Sequence, residues 1–208
     1  MEVRLISSPS MVAEVLCGMA AAECYQGKRY DKSLDRAMDG GLLSVLEHAA
    51  FTFRLSGVSR VLLAQLTRHR IASYSVQSQR YCCANLDLVI PDSMAREELV
   101  DEMIDVKKAV EKLYTKAVGL GVPAEDARYF TLQGGKTSLI MTMNARELRH
   151  FFELRCCNRA QWEIRDMACQ MLALCKIAAP ELFKNAGPGC LRTGCPEGKM
   201  CCGKPWKG

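Results

Sequence analysis

The sequence predicts one domain of mixed helix and strand, and two observations carry that reading. Its 208 residues, 49% of them hydrophobic, can bury a sizeable core and fall within the usual size of one domain. Along the chain, short stretches with a strand's alternation are interleaved with longer ones whose apolar residues recur at helical spacing.

Taken in order, Met11 to Ala22 reads as a short helix, and Ser44-Val45-Leu46-Glu47 has the spacing of a capping box, so a helix is expected to begin there. Phe51-Thr52-Phe53-Arg54-Leu55 alternates apolar with polar, as a half-buried strand does. Ser59 is placed to cap the apolar stretch Val61 to Leu66, which delivers Arg68-His69-Arg70 at a helix end. Leu86 to Ile90, closed by Pro91, resembles a short strand, and Ser93 to Val118 spaces its apolar residues as a helix that Gly119 and Gly121 stop. Pro123 to Arg128 is a further helical stretch, Gln133-Gly134-Gly135 a turn, and Thr137 to Met143 a β-branched strand. Helices from Ala145 and from Ala160 follow. Residues 1–186 thus form the domain, and 187–208, rich in Gly, Pro, Cys and Lys without periodicity, an irregular tail.

No window holds the roughly 18 uninterrupted apolar residues of a membrane helix, and Met1-Glu2-Val3-Arg4 lacks the order of a signal peptide, so a cytoplasmic protein is expected. Twelve cysteines occur in helical and apolar surroundings, often as adjacent pairs such as Cys82-Cys83, which favours reduced thiols over a disulfide framework. The net charge of +5 is spread among acidic residues, with no long basic run. It suits a small anionic ligand as well as a nucleic acid.

Chemistry concentrates between Thr67 and Tyr81, where fifteen residues hold three arginines, a histidine and several hydroxyls, and no lysine. Guanidinium at every cationic position favours planar, bidentate recognition of phosphate or of a heteroaromatic edge. An exposed basic loop is the alternative, the usual fate of a charge run.

Arg68-His69-Arg70, Ser73, Ser78 and Arg80 fit the six fixed positions of RHRxxSxxxxSxR, and by them the chain resembles the flavin-dependent thymidylate synthases. Similarity continues in Ser44 to Phe53, in Asn144-Ala145-Arg146-Glu147-Leu148 and in Arg155-Cys156-Cys157-Asn158-Arg159-Ala160-Gln161-Trp162-Glu163-Ile164, so it covers roughly residues 20 to 190.

The resemblance implies an α/β (α+β) single domain with a central sheet and long helices, assembled as a homotetramer with active sites at subunit interfaces. It implies reductive methylation of dUMP to dTMP, with methylenetetrahydrofolate as carbon donor, reduced FAD as hydride source and NADPH as outside reductant. By motif position, Ser44, Glu47, Arg68, His69, Arg70, Val76, Asn144, Arg146 and His150 are expected at the flavin. Gln65 from another subunit, Arg68, Ser78, Gln79, Arg80, Arg128 and Arg155 are expected at dUMP. Arg155 is the main catalytic residue so implied: a fixed positive charge at the uracil edge favours loss of the N3 proton and pushes electron density towards C5. No enzyme nucleophile is needed, and Ser78, which has no clear base beside it, is assigned to binding the nucleotide. Four positions depart from the family pattern: Leu42 replaces a histidine, Val76 a Glu or Gln, His150 an Asn and Cys24 a serine.

Other features take plainer readings. His48 alone reads as a satisfied, partly buried histidine, and one histidine makes no metal site. Arg146, Arg149, Arg159 and Arg165, with Glu147, Glu153, Glu163 and Asp166, read mostly as surface pairs at helical spacing, and only Arg146 is promoted by its motif. Gly135-Lys136-Thr137 imitates the end of a phosphate loop, but Phe130 stands where that loop needs glycine. Trp162 and the stripe Met167, Met171, Leu174 read as core. The tail cysteines lack the paired spacing of structural zinc sites, and no metal is expected. The competing function is a small basic nucleic-acid-binding module in which Arg68 to Arg80 tracks phosphates and Tyr74 or Tyr81 stacks on a base.

Overall fold

A computed structural model describes residues 1–9, 12–192 and 194–206. The class is α+β. In chain order the elements are β1 (Glu2–Ser7), α1 (Ala13–Tyr25), α2 (Tyr30–Asp39), β2 (Ala50–Ser59), α3 (Arg60–Leu66), β3 (Ala72–Val76), α4 (Glu97–Gly119), α5 (Ala124–Ala127), β4 (Lys136–Asn144), α6 (Ala145–Arg155), α7 (Trp162–Ala178) and α8 (Pro180–Phe183). The strands hydrogen-bond in the order β1-β2-β4-β3. The chain divides into two compact units: Met1–Glu2, Leu55–Thr67 and Ser75–Leu139 form the first, and Val3–Arg54, Arg68–Tyr74 and Ile140–Gly208 the second.

In the first unit, α3 begins because Ser59 accepts the Leu62 N–H at 3.0 Å, satisfying one of the donors a helix start leaves open. A small core gathers Tyr114 and Ala117 of α4 with Ala127 of α5, and the Tyr114 hydroxyl accepts the Ala84 N–H at 3.0 Å. Leu86 to Ile90 forms no strand: a single antiparallel bridge joins Leu88 to Gly135, and Pro91 ends the extended run by withholding a donor. Before α4, Asp92–Met94 forms a separate turn of 3-10 helix, so α4 starts at Glu97 rather than Ser93. Gly119 is still helical; the stop comes at Gly121, whose φ of +85° only glycine adopts readily. The helical stretch expected from Pro123 to Arg128 is present as α5, which ends at Ala127, and Arg128 opens a 3-10 turn, Arg128–Phe130.

The second unit holds the larger core. Phe51 of β2, Phe152 of α6 and Phe183 of α8 are fully buried, with Phe183 edge-to-face on Phe51 at 5.4 Å and on Phe152 at 6.0 Å. Met167 and Met171 of α7 join them, as the apolar stripe predicts, whereas Trp162 is 39% exposed. Across the strands, the hydroxyls of Thr52 and Thr142 lie 2.9 Å apart. Gly18 lets α1 and α2 approach closely, since a Cβ there would lie 2.6 Å from the Tyr30 carbonyl oxygen.

Three further expectations fail in this unit. The capping box does not form: Leu43–His48 is a 3-10 helix without a side-chain cap, and the Glu47 carboxylate takes Arg146 instead of returning to the backbone. His48 is exposed rather than partly buried. The helix charges are not mainly surface pairs, because Glu147, Arg149 and Glu163 are buried and Arg149 donates to the Leu182 carbonyl. In the tail, Gly189–Leu191 and Gly198–Met200 are single 3-10 turns. The Met11 start expected for the first helix lies outside the described residues; α1 begins at Ala13.

Candidate functional site

Most residues expected at the flavin lie in the second unit. Arg68, His69 and Arg70 follow α3, while Asn144, Arg146, His150 and Arg155 come from the end of β4 and from α6. Asn144 caps α6 by accepting the Glu147 N–H at 2.9 Å. That cap fixes the helix's first turn and places Arg155 at its end.

Arg68, Arg70, Arg146, His150, Ser44 and Glu47 are exposed, and Arg146 Nη1 donates to Glu47 Oε1 at 2.5 Å. His69 is different: its ring is buried, and both nitrogens are engaged inside the protein. Nδ1 lies 3.2 Å from Glu147 Oε1, and Nε2 accepts the Arg155 Nε–H at 3.0 Å. Burial holds the His69 pKa below its ordinary value and outweighs the Glu147 hydrogen bond, while the Arg155 charge lowers it further. His69 is therefore a neutral, internal ring rather than a cation facing a ligand.

Arg155 is held below the usual guanidinium range, first by burial and then by the neighbouring charge of Arg68. Two like charges kept near one another favour an anion or an electron-rich heteroaromatic edge between them. This donor set fits a phosphate-bearing flavin and a nucleotide. Arg155 and His150 also line a cavity of about 780 Å³ whose other walls include Asn158, Cys195 and Trp206 of the same unit. The Asn158 amide holds the tail there by donating to the Lys204 carbonyl at 3.0 Å.

The first unit carries Gln65 on α3, Val76 at the end of β3, and Ser78, Gln79, Arg80 and Arg128. Arg80 Nε donates to Glu125 Oε2 at 2.6 Å, and Arg128 Nε donates to the Glu125 carbonyl at 3.0 Å. Ser78 Oγ accepts the Arg80 N–H at 3.2 Å, shaping the turn that presents it. Glu125 and Glu147 were not expected at the site. The Asn-Ala-Arg-Glu block held the only signal for Glu147, and nothing in the sequence distinguishes Glu125 from a solvated glutamate. Among the described residues, no three His, Cys, Asp or Glu side chains group so as to hold a metal, and no helix is long and apolar enough to cross a membrane.

The fold is shared with a UMP/dUMP methylase from Streptomyces cacaoi, solved with 5-Br dUMP, which superposes with a TM-score of 0.76 over 88% of this chain and 93% of that one, at 21% identity. Residues 4–181 match the family described as Thymidylate synthase complementing protein. Similar relatives include the flavin-dependent thymidylate synthases of Geobacter sulfurreducens, 47% identical over 92% of this chain and 89% of the relative, and of Clostridium tetani, 44% identical over 85% and 78%. That of Pyrococcus furiosus is 45% identical over 80% of this chain and 73% of its own. The chain belongs to the flavin-dependent thymidylate synthase family.

Proposed function

We propose that this enzyme converts dUMP to dTMP, taking the carbon from methylenetetrahydrofolate and reducing equivalents from NADPH through FAD, as a homotetramer whose subunits share each active site. The observation that carries the reading is Arg155, a half-buried guanidinium anchored through its Nε and lining a cavity with His150, in a chain 47% identical to a flavin-dependent thymidylate synthase.

FAD, when bound and reduced, supplies the hydride. The protein's part is orientation and charge. Arg155, set against the uracil edge, favours loss of the N3 proton and raises electron density at C5, where the new bond forms. Arg80 and Arg128 take the nucleotide phosphate, with Ser78 and Gln79 beside it and Gln65 contributed by another subunit. Arg68 serves both ligands. Arg70, Arg146, Ser44, Glu47, Asn144 and His150 contact the flavin, and Val76 contacts it through its main chain.

The test is a visible spectrum of the protein purified under reducing conditions. Flavin bands that bleach with NADPH and recover with dUMP and methylenetetrahydrofolate, with dTMP formed, are expected. A colourless protein that takes up no FAD but binds oligonucleotides in a salt-dependent way would replace this reading with a nucleic-acid-binding one.

A further inference from the structure

Glu147 is a buried carboxylate with no contact expected to flavin or nucleotide, and its surroundings give it a task. The Asn144 cap orders the turn that carries it, and its side chain, 9% exposed, reaches the His69 ring, 5% exposed. On the far side of that ring, Nε2 accepts the Arg155 Nε–H. A guanidinium Nε always carries its hydrogen, so Nε2 must be the bare nitrogen. The ring proton therefore sits on Nδ1, and the carboxylate, which can only accept, receives it. The ring is further clamped by Phe151, edge-to-face at 4.9 Å, and its backbone carbonyl by the Tyr74 hydroxyl at 2.9 Å.

We propose that Glu147 is a positioning residue for Arg155: its carboxylate holds His69 in the Nδ1–H tautomer, so that Nε2 anchors the Arg155 Nε and leaves the terminal amino groups of the guanidinium for the substrate. This rests on the reading that places Arg155 at the uracil edge. It replaces the role expected for His69, whose ring nitrogens are both spent inside the protein. With the opposite tautomer, Nε2–H would face Arg155 Nε–H, donor against donor, and the guanidinium would lose its anchor.

Two measurements on the FAD-loaded enzyme test it. Side-chain ¹⁵N NMR of histidine-labelled wild type should show His69 neutral and protonated on Nδ1; protonation on Nε2, or on both nitrogens at neutral pH, overturns the proposal. Kinetically, Glu147→Met should lower kcat about tenfold or more while changing the KM for dUMP by less than about threefold. Glu147→Gln, whose amide oxygen can still accept from Nδ1–H, should recover most of that loss. In an Arg155→Ala background, Glu147→Met should cost little more, because a residue acting through Arg155 has nothing left to act on. An unchanged kcat, or the same fold-loss in both backgrounds, overturns it. A wild type that makes no dTMP would instead reject the reading of function and leave the NMR test standing.

Discussion

Arg80 and Arg128 meet at one residue, Glu125: Arg80 Nε lies 2.6 Å from its carboxylate and Arg128 Nε 3.0 Å from its carbonyl. The two guanidiniums proposed for the phosphate are 48 positions apart in sequence (128 − 80), yet one short helix collects them. Arg80 also stacks on Tyr81, 5.6 Å from the ring centre. Because the Arg80–Glu125 pair is exposed, it contributes at most about 1 kcal/mol to folding. A charge-assisted bond to a phosphate is worth about 1.5–3 kcal/mol. Arg80→Ala is therefore expected to raise the KM for dUMP about tenfold or more while leaving the urea midpoint nearly unchanged. Steady-state kinetics and a denaturation curve check both; a lower midpoint with normal KM would mean that Arg80 is structural only.

His69 gives stability a pH dependence with a definite sign. Its pKa is depressed in the folded state, chiefly by burial, from a reference value of 6.5. The unfolded chain then binds more protons than the native one just below that value, so stability rises with pH there. His69's contribution is complete above about pH 6.5 and is lost as pH falls towards the folded pKa. Urea unfolding at pH 7.5 and 5.5 should show the wild type losing more stability on acidification than His69→Gln. Parallel losses would place the acid sensitivity elsewhere.

Gly18 tests the packing of α1 on α2. Alanine is the better helix former by about 1 kcal/mol, so propensity alone predicts that Gly18→Ala stabilises. Its Cβ, however, would sit 2.6 Å from the Tyr30 backbone oxygen, which cannot swing away as a side chain could. Overpacking of that kind costs about 1–3 kcal/mol. A lower melting temperature for Gly18→Ala is expected; a higher one would show that the two helices can part without penalty.

What the sequence disclosed follows from how local each signal is. Ser59 and the alternation of Phe51, Phe53 and Leu55 work within a few residues, and the elements they predict are present. Ser44 and Glu47 had the spacing of a cap but not its outcome, because Arg146, 99 positions away, takes the carboxylate. β1, α2 and β3 escaped notice: α2 is mainly polar, and β3 lies within the arginine-rich motif whose chemistry masked its alternation. Within the candidate site, the motif pointed to Arg68, Arg70 and Arg155 as cations. That His69 is neutral follows from its burial and the nearby charge of Arg155, and that its ring is held from the inside follows from Glu147, a pairing across 78 positions that no local pattern encodes.

The caps of α6 and α7 separate stability from activity. Asn144 accepts the Glu147 N–H at 2.9 Å, and Gln161 accepts the Glu163 and Ile164 N–H groups at 3.0 and 3.2 Å. Replacing either by alanine removes a satisfied donor at a helix start and should cost about 1 kcal/mol. The consequences for activity differ, because α6 carries Glu147 in its first turn and Arg155 in its last, whereas α7 contributes core side chains such as Ile164 and Met167. Fraying the start of α6 loosens the carboxylate that orders His69, and with it the guanidinium at the other end of the same helix. Measured with FAD saturating, because Asn144 is also proposed at the flavin, Asn144→Ala should therefore lower both the urea midpoint and kcat, and Gln161→Ala the midpoint alone. Equal loss of kcat in the two variants would show that activity follows global stability, and that the first turn of α6 has no separate hold on Arg155.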